Sequence, residues 1–272
     1  MFTFRLPSLI FFRYQQDSRS PAMEKNKIQF APFMKFVIEF HNSSLSYNKL
    51  TNKVAENKAL FTEDEIVLVE EAFLVKHLAE WETFLHNIIV YCVAIDTSKI
   101  SKYLDLDLPK KLSFENATAV VHGLNYLSLT SSSEIKGLAK KIITEENNPF
   151  EQFQPKWLNH IDEVYALRNY IAHKSRKSKS NLMKMYTNRH QMTEFVQPGY
   201  FLSKMDKNEL GEYRHSHLYY GSFMSIATLI WRHLDLESYN FVFEDDRTQE
   251  GWLRGMVKMS QVFEMITKDY KL

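Results

Sequence analysis

Six consecutive residues, Arg168-Asn169-Tyr170-Ile171-Ala172-His173, put a permanent cation, a neutral amide and a titratable imidazole within two turns of one amphipathic segment. Lys174, Arg176, Lys177 and Lys179 follow at once. A guanidinium offers a phosphate two parallel donors, and an imidazole changes charge near neutral pH. These are the parts needed to cleave an RNA backbone without a metal ion: one group to hold developing charge, one to move a proton. On a helix, Asn169 and His173 stand four apart and share a face that points away from the apolar stripe. Arg168 falls near the edge of that stripe, where an ion needs an acidic partner or an opening onto a cleft. Glu71 and Glu82, on an earlier helix, are the candidate partners. The basic stretch 174–179, with Lys184 and Arg189 beyond it, reads as the contact to an RNA backbone. Tyr170 and Tyr186 are rings on which bases could stack. The plainer reading is a surface helix end whose Arg and His complement the dipole, followed by a solvated loop.

The motif needs a scaffold, and helical periodicity supplies one. Its own helix opens after Pro155, with Trp157, Ile161, Val164, Leu167 and Ile171 as the apolar stripe. Earlier, Thr62 can cap a long core helix over 63–94 that carries Ile66, Val69, Phe73, Leu74, Leu78, Trp81, Leu85, Ile88 and Ile89 at helical spacing. A second helix is expected over 114–129. A shorter third should run from Ser131 through Ile143, ending ahead of Asn147-Asn148-Pro149. Beyond the motif, 174–181 breaks the apolar periodicity and is expected as a frayed end or mobile loop. Val196-Gln197-Pro198-Gly199 marks a turn, and further helices fit 208–236 and 248–269. The segments 36–40 and 239–243 are rich in β-branched and aromatic residues and fit short paired strands. The polar stretch 42–57 reads as a connection. The fold class is therefore mostly α: a helical bundle with N- and C-terminal additions and room for a small two-stranded β element. Residues 1–60 form an N-terminal tail and arm, 61–194 the helical core, and 195–272 a C-terminal helical extension packing on it.

Composition narrows the classes. With 272 residues, 44% hydrophobic and 25% charged, the chain can bury a real core. Seven Gly and seven Pro are too few for a sandwich or barrel with many tight turns. A net charge of +1 means that affinity for nucleic acid must come from a local patch. The single cysteine, Cys92, excludes an internal disulfide, a structural zinc cluster and a CxxC pair; in its apolar run it reads as a buried thiol in a reducing cytoplasm. No uncharged stretch is long enough to cross a bilayer. Residues 1–22 read as a tail or weakly docked arm, with Met23 a candidate start. Arg214-His215-Ser216-His217 invites a metal, but histidines two apart on a helix diverge and no carboxylate completes a site. His122 and His233 read as packing or surface residues. No metal and no cofactor are expected, and there is no Walker-A loop, GxGxxG or GxSxG.

The segment from about Glu63 to Ser175 resembles the HEPN superfamily of small helical-bundle proteins. The hallmark of that superfamily is an Arg, a polar residue, three further residues and a His near the end of a late helix. Arg168, Asn169 and His173 match it position for position, and the long first helix fits as well. The resemblance implies a metal-independent endoribonuclease, a toxin or antiviral-defence effector of a microbe, with RNA as substrate. It implies a homodimer in which two motifs face one cleft, and an antitoxin or defence partner protein. His173 would act at the ribose 2′-hydroxyl or the leaving oxygen, Arg168 would stabilise phosphorane charge, and Asn169 would orient the other groups. The products would be a 2′,3′-cyclic phosphate and a 5′-hydroxyl. One branch of the superfamily carries a modifiable Tyr two positions after the His; here Ser175 stands there. A rival reading is a catalytically silent module of the same fold that binds nucleotide or protein. A third is a DNA-binding regulator using 174–189.

Overall fold

The computed structural model describes residues 27–240 except 58–59, 125–129, 209–210 and 237–238. In chain order the helices are α1 (Lys27–Glu56), α2 (Glu63–Ile95), α3 (Ser98–Leu104), α4 (Phe114–His122), α5 (Ser132–Ile142), α6 (Pro155–His173), α7 (Arg176–His190), α8 (Pro198–Ser203) and α9 (His215–Leu234). A 3₁₀ turn (Pro149–Gln152) precedes α6, and an antiparallel hairpin, β1 (Met205–Asn208) and β2 (Gly211–Arg214), precedes α9. The molecule is mostly α, a helical bundle.

Helix α2 is the axle. Thr62 and Glu65 cap it reciprocally: the Glu65 N–H donates to Thr62 Oγ1 at 3.3 Å, and the Thr62 N–H donates to Glu65 Oε2 at 2.7 Å. Its first half buries one face, with Leu74, Leu78 and Trp81, whereas Ile88 to Ala94 are buried all round. A helix apolar on every side belongs in the middle of a bundle, and α1, α4, α6, α8 and α9 all pack on it. Among the described residues, α2 alone has the length and apolar content of a membrane span, and 56% of that stretch is buried inside the bundle. Cys92 lies within it, and burial pushes its thiol pKa up.

Several expectations need correction. Residues 36–40 are not a strand, and 42–57 is not a connection: 36–40 and 42–56 lie inside the thirty-residue helix α1, with Asn57 in the turn that follows. Phe33, Phe36, Val37, Phe40, Tyr47 and Val54 recur at helical spacing and are buried, so the bundle core begins well before residue 60. A five-residue window reads as a strand because it is too short to reveal a period of 3.6. The β element exists, but at 205–214, and it delays the last described long helix from 208 to 215. Residues 239–240 are helical. The proposed strand residues 241–243, the helix 248–269, the tail 1–22 and Met23 lie outside the described residues. The helix expected over 114–129 ends at His122, and 125–129 are likewise outside them.

Two buried polar knots lock the elements that matter below. Tyr47 donates to the Glu70 carboxylate at 2.8 Å and lies 2.9 Å from Ser216 Oγ, while Arg214 Nη1 donates to Glu70 Oε1 at 2.6 Å. This joins α1, α2 and the start of α9. Burial raises the Glu70 pKa, and the Tyr47 hydrogen bond and Arg214 charge oppose that rise. The second knot is Glu163 on α6. It accepts from Arg189 at 3.1 Å, pairs with His190 at 3.3 Å, and accepts from Tyr219 at 2.8 Å. Burial alone would raise this carboxyl, but the hydrogen bonds from His190 and Tyr219, with Arg189, hold it below the usual range. The result is that α7 is clamped antiparallel along α6.

Candidate active site

Helix α6 opens with Pro155 at its first position, where the missing N–H costs nothing. Ile161, Val164 and Leu167 are fully buried, and Trp157 and Ile171 pack at the edge of the core. The opposite stripe, Asp162, Ala166, Asn169 and His173, follows the same helical spacing. It floors a cleft of about 420 Å³. The walls are Thr130 and Ser131 at the start of α5, and Ser175, Lys177 and Asn181 at the start of α7. Of these wall residues the sequence singled out Lys177 as a cation, Ser175 only as the position two after the His, and Ser131 only as a helix start. Helical spacing from His173 back to Asp162 was the available signal for the floor.

The turn after the motif sets the cleft's shape. Lys174 closes α6 in the left-handed conformation at φ 44°, and its N–H donates to the Tyr170 carbonyl at 2.8 Å. Ser175 then caps α7: its Oγ accepts from the Ser178 N–H, and Ser178 Oγ accepts from the Ser175 N–H, both at 3.1 Å. The expected frayed loop at 174–181 is thus a sharp corner followed by a fifteen-residue helix. Its inward residues, Ser178, Leu182 and Tyr186, are too few and too widely spaced to show as an apolar stripe.

His173 and Lys177 are exposed, and both line the cleft with Asn169. Arg168 does not line it. The guanidinium is half-buried and donates from Nη1 to Asn169 Oδ1 at 3.1 Å. Of the two candidate partners, Glu82 is the one within its field: burial raises that carboxyl's pKa, and the Arg168 charge opposes the rise. Glu71 instead accepts from the Gly199 N–H at 3.2 Å. The structure therefore brings Asn169, His173 and Lys177 to one cleft and sets Arg168 behind Asn169.

The first turn of α7 has no acidic residue and carries Arg176 and Lys177. Cations at a helix N-terminus oppose the dipole, so this corner is a concentrated positive spot; Ser175 takes the Ser178 N–H, and helix geometry leaves the Arg176 and Lys177 N–H groups for an anion. The start of α5 differs, because Asp162 accepts from the Ser132 N–H at 2.8 Å and from Ser132 Oγ at 3.0 Å. Lys174, Arg176 and Lys179 are exposed but lie outside the cleft, with Arg176 and Lys179 turned to the far side of α7. Arg189 is held by Asn159 and Glu163. Tyr170 and Tyr186 are buried and offer no ring to a base, contrary to the sequence reading.

The other histidines singled out in the sequence lie away from the cleft. His215 packs on Phe201 and His190, whereas His217 faces Tyr47, so the two diverge as expected. His122 is exposed beside His86, and His233 sits between Gln152 and the Glu146 carbonyl. Among the described residues no three His, Cys, Asp or Glu side chains gather as a metal cluster. No family model, curated protein or solved structure matches this chain.

Proposed function

We propose that this protein is a HEPN-type endoribonuclease that cleaves RNA through attack of a ribose 2′-hydroxyl, without a metal ion, as a toxin or antiviral-defence effector in a microbial cytoplasm. The observation that carries this reading is an exposed imidazole, His173, sharing a polar cleft with Asn169 and Lys177, with the Arg168 guanidinium bonded to Asn169. In the reaction His173 takes the 2′-hydroxyl proton as the O2′–P bond forms and the P–O5′ bond breaks. A second acid returns a proton to O5′, leaving a 2′,3′-cyclic phosphate and a 5′-hydroxyl. The Lys177 side chain and the Arg176 and Lys177 N–H groups at the start of α7 face the phosphate charge. Arg168 serves here as a positioning residue: it holds the Asn169 amide and adds charge behind it, rather than clamping the phosphate directly as the resemblance implies.

RNA incubated with the full chain in EDTA should be cut to products ending in cyclic phosphate. His173→Ala should lower the rate by about 10²–10⁴-fold with its circular dichroism unchanged. Equal behaviour of the two proteins, with no cleavage by either, would leave the second reading. In that reading the bundle is a silent module that binds nucleotide or protein, which the position of Arg168 near Glu82, as a structural ion, favours.

A further inference from the structure

The thirty residues from Val164 to Thr193 contain seven Lys and Arg and no Asp or Glu, in a chain whose net charge is only +1. Two of the seven, Arg168 and Arg189, face the carboxylates of Glu82 and Glu163. The other five, Lys174, Arg176, Lys177, Lys179 and Lys184, are exposed, and among the described residues none has a carboxylate at ion-pair distance. An unbalanced run of this kind would be of little note on a smooth helix face. Here it borders a groove.

The groove runs along the outer side of α7, encloses about 500 Å³ and is open to solvent. Arg176 and Lys179 stand at one end, Lys184 and Asn188 toward the other, and Met183 and Phe195 form an apolar floor. The Lys179 ammonium lies 4.5 Å from the Phe195 ring centre. Behind the ring, Tyr170 and Tyr186 pack at 5.0 and 6.2 Å, so the platform is fixed before any ligand arrives. No carboxylate lines the groove. Its upper end adjoins the site already described, because Arg176 lines the groove and the next residue, Lys177, lines the His173 cleft.

We propose that this groove holds the single-stranded RNA segment that leads into the His173 cleft, an inference that rests on the nuclease reading above. Cations spaced along a rim suit successive phosphates. An aromatic and a thioether floor suits the face of an unstacked base. A duplex keeps its bases stacked inside and presents phosphates alone, so it would use the rim and leave the floor empty. An acidic protein segment would likewise satisfy the rim without needing a ring beneath it. The aromatic floor is what selects the single strand.

Fluorescence anisotropy on the full-length His173→Ala chain tests this with a short labelled single-stranded RNA, the same sequence as a duplex, and a polyglutamate peptide. The single strand should bind most tightly. Lys179→Gln with Lys184→Gln, two exposed positions, should weaken it and reduce its log–log salt slope by about 1.4, roughly 0.7 per lost phosphate contact. Phe195→Leu, which keeps an apolar side chain but removes the ring, should weaken single-strand binding roughly tenfold and leave duplex binding unchanged. Equal or tighter duplex binding, displacement of the RNA by polyglutamate, or an unaltered salt slope in the double variant each overturns the proposal. Cleavage does not enter these readouts. A failure of His173→Ala to change cleavage therefore strikes the nuclease reading, whereas an unaltered anisotropy profile strikes the groove.

Discussion

His77 is sealed against α1 and α9 between the rings of Phe40 and Tyr220, at 4.7 and 4.1 Å. Its Nδ1–H donates to the Phe73 carbonyl at 2.7 Å, and its Nε2 accepts from Ser44 Oγ at 3.3 Å. Both nitrogens are thus satisfied by the neutral ring, and burial lowers the pKa from 6.5 to about 4. The sign follows directly. Above pH 6.5 neither state is charged and the ring is neutral to stability. As pH falls from 6.5 to about 4 the unfolded chain takes up the proton first, so stability is lost across that window. The steepest loss from this group is about 1.4 kcal/mol per pH unit. Urea midpoints at about pH 7 and about pH 5 should therefore differ more for the wild type than for His77→Leu; identical slopes would show that His77 is not the cause. His173 is the opposite case, exposed at a cleft, and only its position sets it apart from His77 in sequence. Its pairing with Asn169 was legible because residues four apart share a helix face. The withdrawal of Arg168 from the cleft was half legible, from its place at the edge of the apolar stripe. Phe195 was not legible at all: it lies twenty-two residues beyond His173, and only the return of the chain along α7 brings it beside Lys179.

Between elements, one close approach depends on a glycine. A Cβ on Gly199 would run into the Val67 carbonyl oxygen and stand 2.7 Å from Val67 Cα, both backbone atoms of α2. The absence of a side chain lets the first turn of α8 lie directly on α2, where its N–H reaches Glu71. From there Phe201 packs against Tyr186 and His190, which supports the back of α7. Gly199→Ala must push α8 off a rigid helix backbone, and it should lower unfolding stability by about 1–3 kcal/mol. Gly137→Ala is its control: this glycine sits in the interior of α5 with no atom within 4 Å of the added carbon. That substitution should raise stability by up to about 1 kcal/mol. Opposite signs in the two urea midpoints are the expected result, and a harmless Gly199→Ala would mean that α8 does not dock as described. The sequence reading of 196–199 as a turn found the break but not the contact that requires it. Similarly α2 was readable because its apolar residues and its Thr62 cap agree. Helix α7 was missed because it buries three residues in fifteen and is fixed instead by the Ser175 cap and the Glu163 knot. A long-range carboxylate leaves no local trace in the chain.

At the scale of the whole molecule, the bundle offers the proposed reaction one imidazole where the chemistry asks for two proton carriers. The 2′-oxygen loses its proton on one side of the phosphorus while the 5′-oxygen gains one on the other. Within one chain's cleft, Asp162 is engaged by Ser132, and Lys177 brings charge rather than a matched acid. His173 stands exposed at the mouth, where a second copy of the same helix end could complete the set. A closed two-fold pair is also the commonest way for one surface to meet itself. On the proposed nuclease reading, the active species is therefore a homodimer in which both imidazoles are needed. Sedimentation should give a dimer mass, and activity per chain should fall on dilution below the dimer's dissociation constant. The decisive arm is subunit mixing, with RNA in excess over all protein so that competition for substrate is negligible. Once subunits have exchanged, a tenfold excess of His173→Ala chains leaves few wild-type pairs, and activity per wild-type chain should drop about tenfold. If activity holds steady through that titration, each chain works alone. The second acid must then be sought among the residues of a single cleft, with Lys177 the first to test.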